Sequence, residues 1–340
     1  MKFGVFDHMD RGPLPLGEQY EARLKLVEAY ERAGFHAYHL AEHHATPLGL
    51  SPSPGVFLAA VAQRTRRLRF GPLVYTLALH HPLRLAEEIC MLDQMSGGRL
   101  ELGIGRGISP HELGYYGVAA EQAHGLYTEA LDVVLLALTQ SVVTYSGKHF
   151  RFSRVPFELG PVQRPHPPLW YGVAKPESTE WTARNRVNIV CGGHADRLAV
   201  LTGAYRAHWA ASGNSGPLPL LGMRAFVVIA DTDAEALAIA RRAYRVWFSS
   251  FIKLWDEHGT RPINADFGDS FDAVMKSGQG VAGTPETVRR TLAAQASAGG
   301  VNYLVCRFAF GDLTLAESLR SLDLFTRDCM PGLARIGEGG

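Results

Sequence analysis

Short runs rich in β-branched and aromatic residues alternate with stretches of helical period from one end of this chain to the other. Nothing else in the sequence restricts the fold as much. Eight runs read as strands: 3–6, 36–41, 68–76, 100–104, 169–173, 187–191, 223–230 and 301–308. Helical patterns lie between them, such as 18–33 closed by Gly34 and 83–95 closed by Gly97 and Gly98. Glycine just past a helix accepts the left-handed backbone needed there. Strand–helix alternation implies parallel strands with right-handed crossovers. Eight such units in 340 residues, with no linker dividing them, predict one domain over 1–340, an α/β (β/α)₈ TIM barrel with insertions at the C-terminal face of its strands. Two stretches break the alternation. Residues 142–152 read as a hairpin turning at Ser146-Gly147, and 248–280, polar and interrupted by Gly and Pro, as a mobile lid.

The barrel reading turns strand ends into candidate site residues, because barrel active sites lie at the C-terminal ends of the strands. Those ends are Asp7-His8-Met9, Glu42-His43-His44, Tyr75-Thr76, Gly105-Arg106-Gly107, Ala174-Lys175, Gly192-Gly193 and Arg307-Phe308. Gly103-x-Gly105-x-Gly107 has the wrong spacing for a dinucleotide fingerprint, and Ile108-Ser109-Pro110 follows where that motif opens a helix. The glycines suit a tight turn at the barrel top, and a guanidinium among them suits bidentate phosphate recognition at Arg106. A second anion site is offered by Lys175-Pro176-Glu177-Ser178-Thr179, where a strand gives way to a helix. Ordinary helix capping explains that segment equally well. His43 at a barrel mouth is suited to proton transfer. Neighbouring histidines on extended backbone face opposite ways, so His43-His44 and His80-His81 do not read as metal pairs, and no metal site is expected.

Charge and composition exclude several alternatives. With 34 basic and 33 acidic residues, net charge is +1 and no long basic run exists, so nucleic acid is not an expected partner. No run of about 18 apolar residues is present to span a membrane, and MKFGVFDHMD lacks the pattern of a secretory leader. Four cysteines without C-x-x-C spacing read as free thiols in a reducing cytoplasm.

The chain resembles the bacterial luciferase-like flavin-dependent monooxygenases, most nearly the alkanal monooxygenase alpha-chain type. The resemblance covers the whole chain, through MKFGVF, LAEHHATPLGLSPSP, HHPLRLAEEICMLDQMSGGRLELGIGRG, GTPETVRRTLAAQASAGGVNYLVCRF and SLDLFTRDCMP in that order. It implies an FMN-dependent, two-component enzyme that uses reduced FMN and O₂, through a C4a-peroxyflavin, to oxygenate a small organic substrate. It implies that His43 assists proton transfer, that Arg106 binds the FMN phosphate, and that Leu73-Val74 form a non-proline cis peptide beneath the isoalloxazine ring. Gly105 falls where luciferase alpha chains carry a cysteine beside the flavin. The Lys175–Thr179 turn, with Glu177, Ser178 and Thr179, matches a second phosphate segment, and Met9 is expected to face the cavity.

This chain departs from the family at His124, where luciferase alpha chains have another phosphate-contacting arginine, and at Lys175, which replaces an acidic residue. Phosphate is therefore expected on Arg106, Lys175 and Ser178, with His124 assisting. The resemblance further implies a cytoplasmic homodimer and a separate NAD(P)H:flavin reductase as transient partner. Two rivals stay open. One is a hydride-transfer oxidoreductase of the same fold using deazaflavin F420. The other is a non-catalytic flavin-binding partner subunit, against which His43 weighs.

Overall fold

The computed structural model describes residues 1–262 and 267–336. All eight expected strands are present, with ends shifted by no more than a few residues. In chain order they are Lys2–Asp7, Ala37–Leu40, Arg69–Pro72 continued by Tyr75–Thr76, Leu102–Gly105, Leu169–Gly172, Asn188–Cys191, Leu221–Ile229 and Tyr303–Arg307. Each lies parallel to its neighbour in sequence, and the first pairs with the eighth, Lys2 opposite Tyr303. A parallel bridge between Phe70 and Leu100 joins the third strand to the fourth, so the ring closes into a (β/α)₈ barrel.

Strands buried on both faces are apolar almost throughout, as a parallel sheet wrapped in helices requires. The second strand is buried at all four positions. Side-chain alternation sorts the eighth strand cleanly. Leu304 and Cys306 join the core beneath the outer helices, whereas Tyr303 and Val305 pack inside the barrel with Leu73, Trp170 and Val190. Tyr303, Trp170 and His39 plug the N-terminal half of the barrel, with His39 Nε2 2.9 Å from the Tyr303 hydroxyl. Glycine at position 4 makes room for that plug, since a Cβ there would stand 1.7 Å from the Tyr303 hydroxyl oxygen. The open cavity lies toward the other end.

The outer layer follows its capping signals. The helix Pro82–Ser96 stops at Gly97, whose φ of 65° is left-handed. Thr314 heads Leu315–Leu324 with a full capping box to Glu317. The hairpin forms as expected, Val142–Ser146 antiparallel to Arg151–Pro156. Its tip is tied to the flank of helix Ala120–Thr139 by Glu129, which accepts from the amides of Lys148, His149 and Phe150.

The stretch 248–280, expected to form a mobile lid, contains regular structure toward both of its ends. Residues up to Glu257 are the last turns of a 25-residue helix, Asp233–Glu257. Phe271–Lys276 is a helix, and Gly280–Gly283 is a further parallel strand beside the seventh. Trp247, Phe251, Leu254 and Trp255 recur at helical spacing in that stretch, and Trp247 packs on Phe226 and Phe251. The centre of the proposed lid, 263–266, lies outside the described residues. The four cysteines are free and buried, and burial pushes their thiols up, Cys90 to about 11 and Cys191 and Cys329 to about 12. No helix among the described residues is long and apolar enough to cross a membrane.

Candidate active site

A cavity of about 610 Å³ occupies the C-terminal mouth of the barrel, within the range of small-molecule and cofactor pockets. Every barrel strand or the loop after it contributes to the wall. His43 reaches it because the chain turns sharply after the second strand, with Ala45 at φ 54°. His43 Nδ1 lies 3.1 Å from Glu112 Oε1, and the other Glu112 oxygen accepts the His44 amide at 2.8 Å. A carboxylate only accepts, so this network assigns a proton to Nδ1 and leaves Nε2 as the ring atom not engaged by Glu112. Glu112 is delivered by the short helix Pro110–Tyr115, whose cap Ser109 accepts the Glu112 amide. The S-x-x-E spacing looks like a capping box, yet the carboxylate serves two histidines.

His44 turns the other way, as adjacent residues on extended backbone should. Its Nε2 meets Glu42 at 2.9 Å and its Nδ1 the Tyr116 hydroxyl at 2.9 Å. Glu42 also accepts from the Thr76 amide and from His80. Burial would raise the Glu42 carboxyl, but its hydrogen bonds to His44 and His80 hold it below the ordinary carboxylate value. Burial would lower His80 in turn, and the Glu42 carboxylate overrides this and raises it. The cluster ties the ends of the second and third strands together beneath the cavity.

Leu73 and Val74 line the cavity, and the peptide between them is cis, as the resemblance implies. Gly103 and Gly105 permit close approach of the fourth strand to that segment. A Cβ at Gly103 would lie 2.2 Å from the Pro72 carbonyl oxygen, and one at Gly105 2.4 Å from Val74 Cγ2. The glycines thus serve packing, and Arg106 is the chemical element among them. It is exposed at the cavity wall and forms no hydrogen bond or ion pair among the described residues. Lys175, Ser178 and His124 line the same cavity, which brings together all four groups expected to hold phosphate.

Three other expectations shift. Met9 is fully buried in the core beneath the outer helices, and its neighbour His8 lines the cavity instead. A left-handed backbone at Met9 (φ 53°), with Asp7 Oδ1 accepting its amide at 2.7 Å, turns the side chain away. Thr179 is buried, and its hydroxyl donates to the Pro176 carbonyl at 2.6 Å. The Ser178 and Thr179 amides are spent on the Lys175 and Pro176 carbonyls. Capping therefore explains the backbone of this turn, and its Lys175 and Ser178 side chains supply what remains for an anion. Glu177 is exposed and does not line the cavity.

His8 and Arg307 are strand ends to which the sequence assigns no role, and Arg197, Arg224 and Gln279 are groups it does not single out. Arg197 lines the cavity from the first turn of helix Ala195–Ala211 and donates to the Ala174 carbonyl at 3.1 Å. The only hint was its place just beyond the strand end Gly192-Gly193. His8 accepts from Trp247 Nε1 at 3.3 Å, which puts its own proton on Nε2. Burial, then Arg307, His43 and Arg224, push His8 well below the usual histidine value, so it is neutral. Arg224 and Arg307 project from the seventh and eighth strands into the same space, with Gln279 beside them.

Fold and site together define a class: a (β/α)₈-barrel protein whose mouth has cations at one side, an apolar floor at Leu73-Val74, and a carboxylate-held histidine. The chain belongs to the luciferase-like monooxygenase family, whose model matches residues 1–302. It is 46% identical over 320 residues to the uncharacterized protein y4wF of Sinorhizobium fredii, covering 94% of this chain and 93% of that one. It is 25% identical over 354 residues to the alkanal monooxygenase alpha chain of the Kryptophanaron alfredi symbiont, covering 98% of each. Among solved structures, the monooxygenase RslO1 from Streptomyces bottropensis superposes with a TM-score of 0.87 at 26% identity, over 97% of this chain and 99% of that one.

The residues present fit a flavin-type cofactor, the class this family implies. Arg106, with no partner among the described residues, lines the cavity together with Lys175 and Ser178, a donor set suited to a phosphate. Gly172 lines the same cavity with nothing within 4 Å of where a Cβ would stand, which leaves room for a flat ring system.

Proposed function

We propose that this protein is the oxygenase component of a two-component, FMN-dependent monooxygenase acting on a small organic substrate. The observation that carries the reading is His43, held through Nδ1 by Glu112 in the same cavity as Arg106. Arg106, Lys175 and Ser178 would hold the phosphate, with His124 and Arg197 at the same wall. Leu73, Val74 and Gly105 would support the ring. Bound reduced FMN supplies the electrons with which O₂ is activated.

His43 accepts or returns a proton at Nε2, and the Glu112 carboxylate stabilises the imidazolium when that proton is held. Glu112 also fixes the ring through His44, whose amide it binds with its second oxygen. The Glu42–His44–His80 cluster positions this pair from below. Phe251 and Phe267, on the cavity wall and packed on Trp247, would limit access of water from one side, which protects a reactive oxygen species from solvent. A separate NAD(P)H:flavin reductase would deliver reduced FMN, in keeping with the likeness to a relative named as the oxygenase component of a flavin-dependent monooxygenase.

The test is single turnover with photoreduced FMN, O₂ and a panel of aldehydes, ketones and carboxylates. His43→Ala is expected to keep FMN binding and lose roughly 10²–10⁴-fold in oxygenation rate, with Glu112→Gln intermediate. Full oxygenation by His43→Ala would remove its assigned role. Anaerobic turnover with reduced F420, and none with reduced FMN and O₂, would replace the oxygenase reading altogether.

A further inference from the structure

Inward positions of the eighth strand run from the plug to the mouth as Tyr303, Val305 and Arg307. Arg307 ends that row at 2% exposure, on the wall of the cavity. Aromatic faces enclose its guanidinium, with ring centroids of Phe226 at 4.4 Å, Phe6 at 4.8 Å, Phe267 at 5.5 Å and Trp247 at 5.7 Å. Such faces attract a cation, but they leave its directional N–H donors without in-plane acceptors. Nε has no hydrogen-bond partner, and Arg307 forms no ion pair among the described residues. A second guanidinium, Arg224, raises the positive potential beside it.

A buried cation is costly unless paired, and here the open side of the group is the cavity itself. Two other polar groups at the mouth have protein partners: His8 accepts from Trp247, and His43 is held by Glu112. We infer that Arg307 is the binding point for an oxyanion on the organic substrate, a carboxylate or sulfonate that pairs with its guanidinium inside the aromatic cage. This deepens the oxygenase reading and rests on it for the identity of the cavity. The same cage selects a flat or apolar body next to the anion.

Placement orients the substrate. Phe6, in contact with Arg307, meets His8 at 4.8 Å, and His8 meets His43 at 5.7 Å. In this series of contacts His8 stands between Phe6 and His43, so an anion held at Arg307 would leave the reacting group of the substrate toward His43. His8 Nε2–H is a donor along that path.

Calorimetric titration of the FMN-loaded protein with benzoate, benzenesulfonate and benzamide tests the inference without requiring turnover. At least one of the two anions is expected to bind tenfold or more tightly than the neutral amide of matching shape. Arg307→Met is expected to abolish that preference while FMN still binds, and Arg307→Lys to retain part of it. Equal affinity for anions and amide, or an anion preference that survives in Arg307→Met, would overturn the proposal. Either result would leave the oxygenase reading standing, since that reading fails instead on loss of FMN binding or of O₂-dependent turnover. Should Arg307→Met not fold, a preference weakened or lost in Arg307→Lys together with intact FMN binding decides in favour, and its full retention decides against.

Discussion

Two buried arginines in this barrel live under opposite rules. Arg23, on the first outer helix, is clamped by acid: Nε is 3.2 Å from Asp7 Oδ2, and Nη2 is 3.7 Å from Asp10 Oδ1. Those carboxylates are themselves anchored, Asp7 by the Tyr38 hydroxyl and the Met9 amide, Asp10 by the Gly311 amide. The network pins the loop after the first strand to the loop after the eighth. Arg307, as deeply buried, has aromatic rings where Arg23 has carboxylates. One cation is neutralised by the fold. The other is held in readiness by it, and only the second faces a cavity.

The largest effect that could break this contrast is on stability. Arg23→Met strands two buried carboxylates and should cost about 3–5 kcal/mol in denaturant unfolding. A loss below about 1 kcal/mol would show that the acid clamp contributes little. Arg307→Met removes a buried charge with no acid partner among the described residues, so its unfolding free energy should be unchanged or higher by about 1–4 kcal/mol. Clear destabilisation there would mean the protein, and not a ligand, compensates Arg307.

A finer distinction lies in pH. Burial, opposed by Arg23 and reinforced by Asp7, pushes the Asp10 carboxyl from 3.8 to about 7. A raised carboxyl binds its proton more readily in the folded state than in the unfolded one. Its contribution is therefore full below the unfolded value near 3.8 and is lost as pH rises through about 7. Thermal unfolding followed across that window should show this slope in the wild type, and Asp10→Asn should flatten it. An unchanged slope would assign the proton uptake to another group.

The scaffold was largely legible in the sequence, because hydrophobic period and glycine stops are local properties. All eight strands and the hairpin were found this way, and Arg106 stood out through its glycines. The helical end of Asp233–Glu257 was misread although its aromatics keep helical spacing, since the Gly and Pro beyond Glu257 set the tone of the whole window. Met9 and His8 exchanged roles because one left-handed residue reverses which side chain faces in, and a sequence does not display φ. Glu112 and Arg197 could not be assigned from spacing. Their importance comes from segments far apart in the chain, 69 positions in the case of His43 and Glu112. Arg307 was visible as a strand end, but that its guanidinium lacks an acid is a property of packing alone.

The four sequestered cysteines matter for an enzyme of the proposed kind. Reduced flavin and oxygen yield hydrogen peroxide whenever turnover miscarries, and peroxide attacks thiolates first. Cys90, Cys191, Cys306 and Cys329 are all buried with their thiols pushed upward, so almost none is ionised at neutral pH. Oxidative wear should instead fall on the exposed Met91 and Met95, side chains whose sulfoxides are reversible. The barrel is thus built to age at its surface, with its core chemistry kept out of reach of its own by-product.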